Sequence, residues 1–167
     1  METLRWTVQP LFEHNWAMHY FEDFSPGQII THPGITVDEA ELVSFASKYD
    51  PQSFHTDKSA AQNSIYGGLI ASGWHTAAMT MRMLCDSYIL DSASMGSPGI
   101  DELRWIRPVR PGDHIRLEVT ITHTRRSKSK PDRGIVNSQT RVLNQDDVTV
   151  MTFSGMGMYK TRSADQA

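Results

Sequence analysis

The spacing of apolar residues changes along the chain. Between about residues 73 and 90 they recur every three or four positions, which predicts a long helix. Ser72 is placed to cap its N-terminus. We expect this to be the central buried helix, with its core stripe at Trp74, Ala77, Ala78, Met81, Leu84, Cys85 and Tyr88.

After this helix the period becomes two. Ile115, Leu117, Val119 and Ile121 alternate with polar residues, which predicts a half-buried strand. Further strands are predicted at about 100–106, 136–142 and 148–159, with turns between them. An earlier strand-like piece begins at Ile29 and is expected to break at Pro33-Gly34.

Helices are also predicted before residue 70. Leu42, Phe45, Ala46 and Tyr49 share one helical face, and Thr36 to Glu39 is typical of a capping box. Pro51 disfavours helical geometry at Asp50, so this helix should end there. A turn or single helical turn follows, and then a short helix over about 57–63 with Thr56 as its N-cap.

This order of elements, a strand, then helices, then four strands joined by short turns, predicts an α+β fold with an antiparallel sheet around one long helix. Such a sheet leaves an open edge, which dimerisation would cover. We expect an N-terminal extension over 1–18, one domain over 19–162 and a polar tail over 163–167.

Composition narrows the possible functions. The 167 residues carry 16 basic and 19 acidic side chains, a net charge of −3 that is unlike a nucleic-acid-binding domain. No apolar run approaches the length of a membrane span, and no secretory signal is evident. A single cysteine fits a reducing, cytoplasmic location. The histidines show no metal-ligand spacing, so we expect no metal.

Two stretches carry candidate chemistry. Asp50 and His55 would lie on different faces of a continuous helix, but the bend at Pro51 can bring them together around one water as an acid/base pair. Gly67-Gly68 leads to Ser72 and Gly73 at the start of the long helix, where free N–H groups favour a negatively charged oxygen. The alternatives are a solvated loop for the first stretch and a tightly packed helix cap for the second.

The two stretches together resemble the MaoC-like dehydratases, the (R)-specific enoyl-CoA hydratases with the hot-dog fold. Their signature is D-x-N-P-x-H followed by small residues and a glycine before the central helix. Here Gln52-Ser53 stands where the family has Asn-Pro, and the proline is at position 51. Three further stretches resemble the family: residues 20–24, 97–105 and 108–113.

The resemblance implies reversible hydration of trans-2-enoyl thioesters, the reverse of dehydrating (R)-3-hydroxyacyl-CoA. Asp50 and His55 would activate water, and the Gly73 N–H would stabilise the enolate oxygen. Gly68 and Ser72 would lie against the substrate. The substrate would be an acyl-CoA or acyl-carrier-protein thioester bound by a homodimer or dimer of dimers, with no cofactor besides the coenzyme A of the substrate.

Five basic residues fall between the third and fourth predicted strands, Arg126 and Lys128 among them. They are typical of a solvated hairpin, and the functional alternative is contact with coenzyme A phosphates. Two other functions remain open from the sequence: a hot-dog acyl-CoA thioesterase and a non-catalytic acyl-thioester binding module.

Overall fold

The computed structural model describes residues 18–162, so almost all of the predicted N-terminal extension and the whole of the polar tail lie outside the described residues. The helices are α1 (Glu39–Tyr49), α2 (Ser53–Thr56), α3 (Lys58–Gln62) and α4 (Gly73–Leu84), and a π-helical turn continues α4 over Cys85–Ile89. The strands are β1 (Ile29–Thr36), β2 (Gly99–Trp105), β3 (His114–Arg126), β4 (Arg133–Leu143) and β5 (Thr149–Lys160).

The five strands form one antiparallel sheet in the order β1-β3-β4-β5-β2. The alternation in β3 is confirmed, because Ile115, Leu117, Val119 and Ile121 are all buried in the core. Each burial of such a side chain contributes about 1.5–3 kcal/mol, which fixes the face that β3 turns inward. The predicted strands at the positions of β2, β4 and β5 are confirmed as well.

The break predicted at Pro33-Gly34 is wrong, since β1 continues through it to Thr36. Pairing with β3 shows only a register irregularity between His32 and Ile35. A proline without a donor is tolerated there because β1 is an edge strand. Gly34 adopts φ +114, and a Cβ there would collide with His114.

Two predicted helix caps are wrong for the same reason. In each case the N-cap is an aspartate one or two residues after the predicted threonine. Thr36 stays in β1, and Asp38 caps α1 by accepting from the Glu41 N–H. Thr56 ends α2, and Asp57 caps α3 in its place. A carboxylate at the N-cap also complements the positive end of the helix dipole.

The central helix is where predicted, but its buried face matches the predicted stripe only in part. The buried side chains of α4 are Met79, Thr80, Met83 and Leu84, with His75 and Thr76 nearer the N-terminus. Trp74 and Met81 of the predicted stripe are 59% and 48% exposed. Leu84 of the same stripe is 7% exposed and belongs to the core, and Ala77 and Tyr88 pack against that core, so the prediction is only partly wrong.

A curved antiparallel sheet packed on one long helix confirms the α+β class and is the hot-dog architecture. The helix and sheet share one core, which includes Leu42 of α1, Met83 of α4 and Met151 of β5. No helix within residues 18–162 combines the length and hydrophobicity needed to cross a lipid bilayer.

Candidate active site

Asp50 and His55 face each other across a short bend. Asp50 follows the last residue of α1 and its N–H still donates to the Ala46 carbonyl. Pro51 then turns the chain, and the single turn of α2 carries His55 back. The Asp50 Oδ2 and His55 Nε2 atoms end 3.4 Å apart.

The tautomer of His55 follows from the hydrogen bond that its other ring nitrogen, Nδ1, makes. Its Nδ1 lies 2.8 Å from the Ile70 carbonyl oxygen, which can only accept, so Nδ1 carries the hydrogen. In the neutral ring the unprotonated Nε2 is then an acceptor directed at Asp50. His55 is 4% exposed, and its ring lies edge-on against the ring of Phe54.

The Asp50 carboxylate is held by two donors. The Ser72 hydroxyl donates to its Oδ2 at 2.6 Å, and the Gln52 amide donates to its Oδ1 at 2.8 Å. Both bonds lower the pKa of the Asp50 carboxyl below its ordinary value, and the bond from Ser72 has the larger effect. Asp50 is therefore ionised at neutral pH, and its charge faces the histidine.

The pair opens into a cavity of about 590 Å³ at the amino end of α4. Gly73 is the first residue of that helix and lines the cavity, so its N–H has no acceptor within the helix. The Trp105 indole N–H donates to the Gly73 carbonyl, and a Cβ at position 73 would overlap the indole ring. This glycine is thus required by packing as well as available to a ligand.

The structure brings four of the predicted site residues together and leaves three apart. Asp50, His55 and Gly73 line the cavity, and the buried Ser72 does not line it but donates to Asp50. Gly68 is in the loop before α4, where it lies beside Arg110, and it does not line the cavity.

Arg126 is the last residue of β3, and Lys128 follows it in the hairpin loop. The strand's other end, His114, follows the loop that lines the cavity, and its thirteen residues span about 40 Å. The Arg126 guanidinium donates to the Pro131 carbonyl within the hairpin. In their own subunit these two cations are therefore out of reach of a ligand in the cavity.

Sequence reasoning missed three contributors to the site. They are the Ile70 carbonyl that orients His55, the Trp105 indole and the exposed Arg107 at the cavity wall. Trp105 could have been found from the sequence, because it belongs to the stretch over residues 97–105 that resembles the family. Among residues 18–162, no three His, Cys, Asp or Glu side chains converge as metal ligands would.

Comparison with known proteins gives a family match. The model of the MaoC-like domain matches residues 23–142, which is most of the chain. Among solved structures, the MaoC-like dehydratase from Rhodospirillum rubrum superposes with a TM-score of 0.79 at 38% identity, covering 87% of this chain and 99% of that one.

Two curated relatives are longer proteins. The MaoC protein of Klebsiella aerogenes is 31% identical over 117 residues, which are 66% of this chain and 34% of that protein. A mesaconyl-CoA hydratase of Cereibacter sphaeroides is 28% identical over 149 residues, 87% of this chain and 42% of that one. The chain thus spans less than half the length of both.

Proposed function

The chain belongs to the MaoC-like domain family, and from this we propose that it is a hydro-lyase that adds water reversibly across the double bond of trans-2-enoyl thioesters. The observation that carries the proposal is the Asp50–His55 pair, 3.4 Å apart at the wall of a cavity. The relative described as a mesaconyl-CoA hydratase supports the same reaction type.

The pair is suited to hold one water. Nε2 of neutral His55 and Oδ2 of Asp50 are both acceptors, so they repel unless a donor lies beside both. A water molecule has two O–H groups and can donate one to each. Its oxygen lone pairs then point away from both groups and toward the cavity.

The reaction needs two proton movements and one new carbon–oxygen bond. The water oxygen bonds to C3 of the enoyl group as one acceptor of the pair takes a proton from it. The electrons of the C2–C3 double bond shift to the thioester oxygen, giving an enolate. A proton returned by the pair to C2 on the same face completes a syn addition. Acid/base help of this kind contributes about 10²–10⁴-fold in rate.

The enolate oxygen is proposed to accept from the Gly73 N–H. That N–H is the first of α4, whose twelve residues give it a helix dipole with its positive end at the cavity. Removing one donor to a developing oxyanion typically costs about 10²–10³-fold in rate.

The thioester is proposed to be carried by coenzyme A or an acyl carrier protein. Arg107 is exposed at the cavity wall, where a guanidinium suits a phosphate. Arg126 and Lys128 would reach such a phosphate only in the cavity of another subunit.

A homodimer is proposed for the assembly. Strand β2 is an open edge of the sheet, and Trp74, Ile100, Trp105 and Ile106 leave an apolar seam exposed beside it. An isolated chain would hold these groups in water, whereas a second copy would bury them and pair the edge.

The test is to incubate the protein with crotonyl-CoA and follow the enoyl absorbance and free thiol together. We expect loss of the enoyl absorbance without thiol release. Asp50→Asn should lower kcat/KM by about 10²–10⁴-fold, whereas Asp57→Asn, which alters only the cap of α3, should keep wild-type activity. Thiol release with the enoyl group intact would indicate a thioesterase, and binding without turnover would indicate a binding module.

A further inference from the structure

A second cavity, of about 230 Å³, lies between the C-terminal half of α4 and the sheet. Met81, Leu84 and Tyr88 line it from the helix side, and Val136, Phe153 and Met156 line it from strands β4 and β5. The walls are largely apolar, as those of ligand cavities usually are.

One polar group in this cavity has no partner. Thr140 of β4 is 1% exposed, and its hydroxyl makes no hydrogen bond within the described part of the chain. A buried hydroxyl left unpaired costs about 1–3 kcal/mol. Among residues 18–162, His75 is the only other side chain with buried polar atoms that make no hydrogen bond, and it lines neither cavity.

The two cavities lie along the same face of α4. Trp74 lines the first, and Met81, Leu84 and Tyr88 line the second; these positions are spaced seven, three and four residues apart. Between them on this face lies Ala77, whose short side chain is partly buried against the core. Part of the stripe predicted from the sequence therefore lines the two cavities.

The separation suits an acyl chain. From Trp74 to Met81 the helix rises about 10 Å. Extended chain covers about 1.2 Å per bond, so about eight or nine bonds bridge that distance. On β2, Trp105 lines the first cavity and Ile100 lines the second.

We propose that the second cavity receives the distal part of the substrate's acyl group and that Thr140 recognises an oxygen atom on it. The preferred substrates are then medium-chain enoyl thioesters with a hydroxyl or carbonyl near the tail end, rather than plain alkyl chains. A threonine hydroxyl both donates and accepts, so it can pair with either group. This inference rests on the proposed function and specifies its substrate class.

The experiment compares 2-decenoyl-CoA with its 10-hydroxy counterpart, and crotonyl-CoA reports the basic reaction. We expect wild-type kcat/KM to favour the hydroxylated chain. Thr140→Val keeps the shape and removes the hydroxyl, and should reduce that preference by roughly 5- to 150-fold. Thr140→Ser should restore it. Thr120→Val, half-buried on the neighbouring strand, is the matched control and should keep the wild-type preference.

A second variant covers the case in which Thr140→Val does not fold. Ala77→Leu places a larger side chain between the two cavities and should raise KM for both decenoyl thioesters more than for crotonyl-CoA. Ala40→Leu, on the exposed face of α1, is its control. Equal use of the two decenoyl thioesters by wild type, or a preference unchanged in Thr140→Val, would overturn the inference.

Failure of the proposed function gives a different result. In that case crotonyl-CoA is not hydrated at all. Calorimetry with decanoyl-CoA and 10-hydroxydecanoyl-CoA then tests the cavity by binding alone. Tighter binding of the hydroxylated compound, lost in Thr140→Val, supports the inference, and equal binding refutes it.

Discussion

Replacing Ser72 by alanine removes one hydroxyl that makes two contacts. The hydroxyl accepts from the Trp74 N–H at 3.2 Å, which caps α4, and donates to Asp50 Oδ2 at 2.6 Å. Ser72 is fully buried, so water cannot readily replace either contact. The substitution therefore affects stability through the cap and catalysis through the carboxylate.

The two effects have different magnitudes and readouts. Loss of an N-cap costs about 1 kcal/mol, which lowers the Tm of a domain of this size by roughly 2–4 °C. The bond from Ser72 is also the largest cause of the lowered pKa of Asp50, so that pKa should rise in Ser72→Ala. Each unit of rise corresponds to about 1.4 kcal/mol of lost preference for the ionised form.

The assay is a pH profile of kcat/KM with crotonyl-CoA, beside thermal unfolding. In wild type, activity that needs ionised Asp50 is lost as the pH falls toward the lowered pKa. In Ser72→Ala the acid limb should move to higher pH, and kcat/KM at neutral pH should fall about tenfold or more, since hydrogen bonds to charged groups contribute about 1.5–3 kcal/mol.

Asp38→Ala is the matched control, because Asp38 caps α1 through the Glu41 N–H and does not contact the site. It should lower the Tm by a similar amount and leave the pH profile in place. If Ser72→Ala behaves like Asp38→Ala, with the acid limb unmoved and kcat/KM unchanged, then Ser72 is only a cap and the reasoning is refuted.

Further predictions concern the buried histidine, the cations and the assembly. Burial lowers the pKa of His75, so the folded state disfavours its protonated form; stability should decrease as the pH falls below about 6.5, and His75→Phe should flatten that dependence in thermal unfolding. Arg107→Glu should raise KM for crotonyl-CoA several-fold, whereas an unchanged KM would exclude its phosphate contact. Charge reversal at Arg126 and Lys128 should raise KM only if the hairpin reaches another subunit's cavity. Sedimentation velocity should give twice the 18.9 kDa chain mass, and a monomer would contradict the proposed seam.

The strands could be predicted because one face of the sheet is buried. Between Ile115 and Ile121 of β3 each inward position is apolar and each outward one is polar, so the period itself identifies the core face. In α4 the same reasoning succeeded only in part. Periodicity identifies an apolar face, and it does not say whether that face packs on the sheet or lines a cavity. Thr76 and Thr80 enter the core because their hydroxyls donate to backbone carbonyls one turn earlier.

The catalytic candidates could be found from the sequence because both lie within six residues, and Pro51 supplies the bend between them. The partners that orient them could not be found. Ile70 is fifteen residues from His55, and Ser72 is twenty-two residues from Asp50. Their contacts depend on how the loop before α4 packs against α2, which only the tertiary fold determines.

The close contact between Gly73 and the Trp105 indole links two positions that are thirty-two residues apart. Any residue with a Cβ at 73 requires a smaller ring or a shifted one at 105. Variant libraries that change position 73 alone will therefore return mostly defective proteins, and their losses will be misread as loss of the backbone donor. Mutating the two positions jointly separates steric tolerance from chemistry and opens this wall of the cavity to redesign.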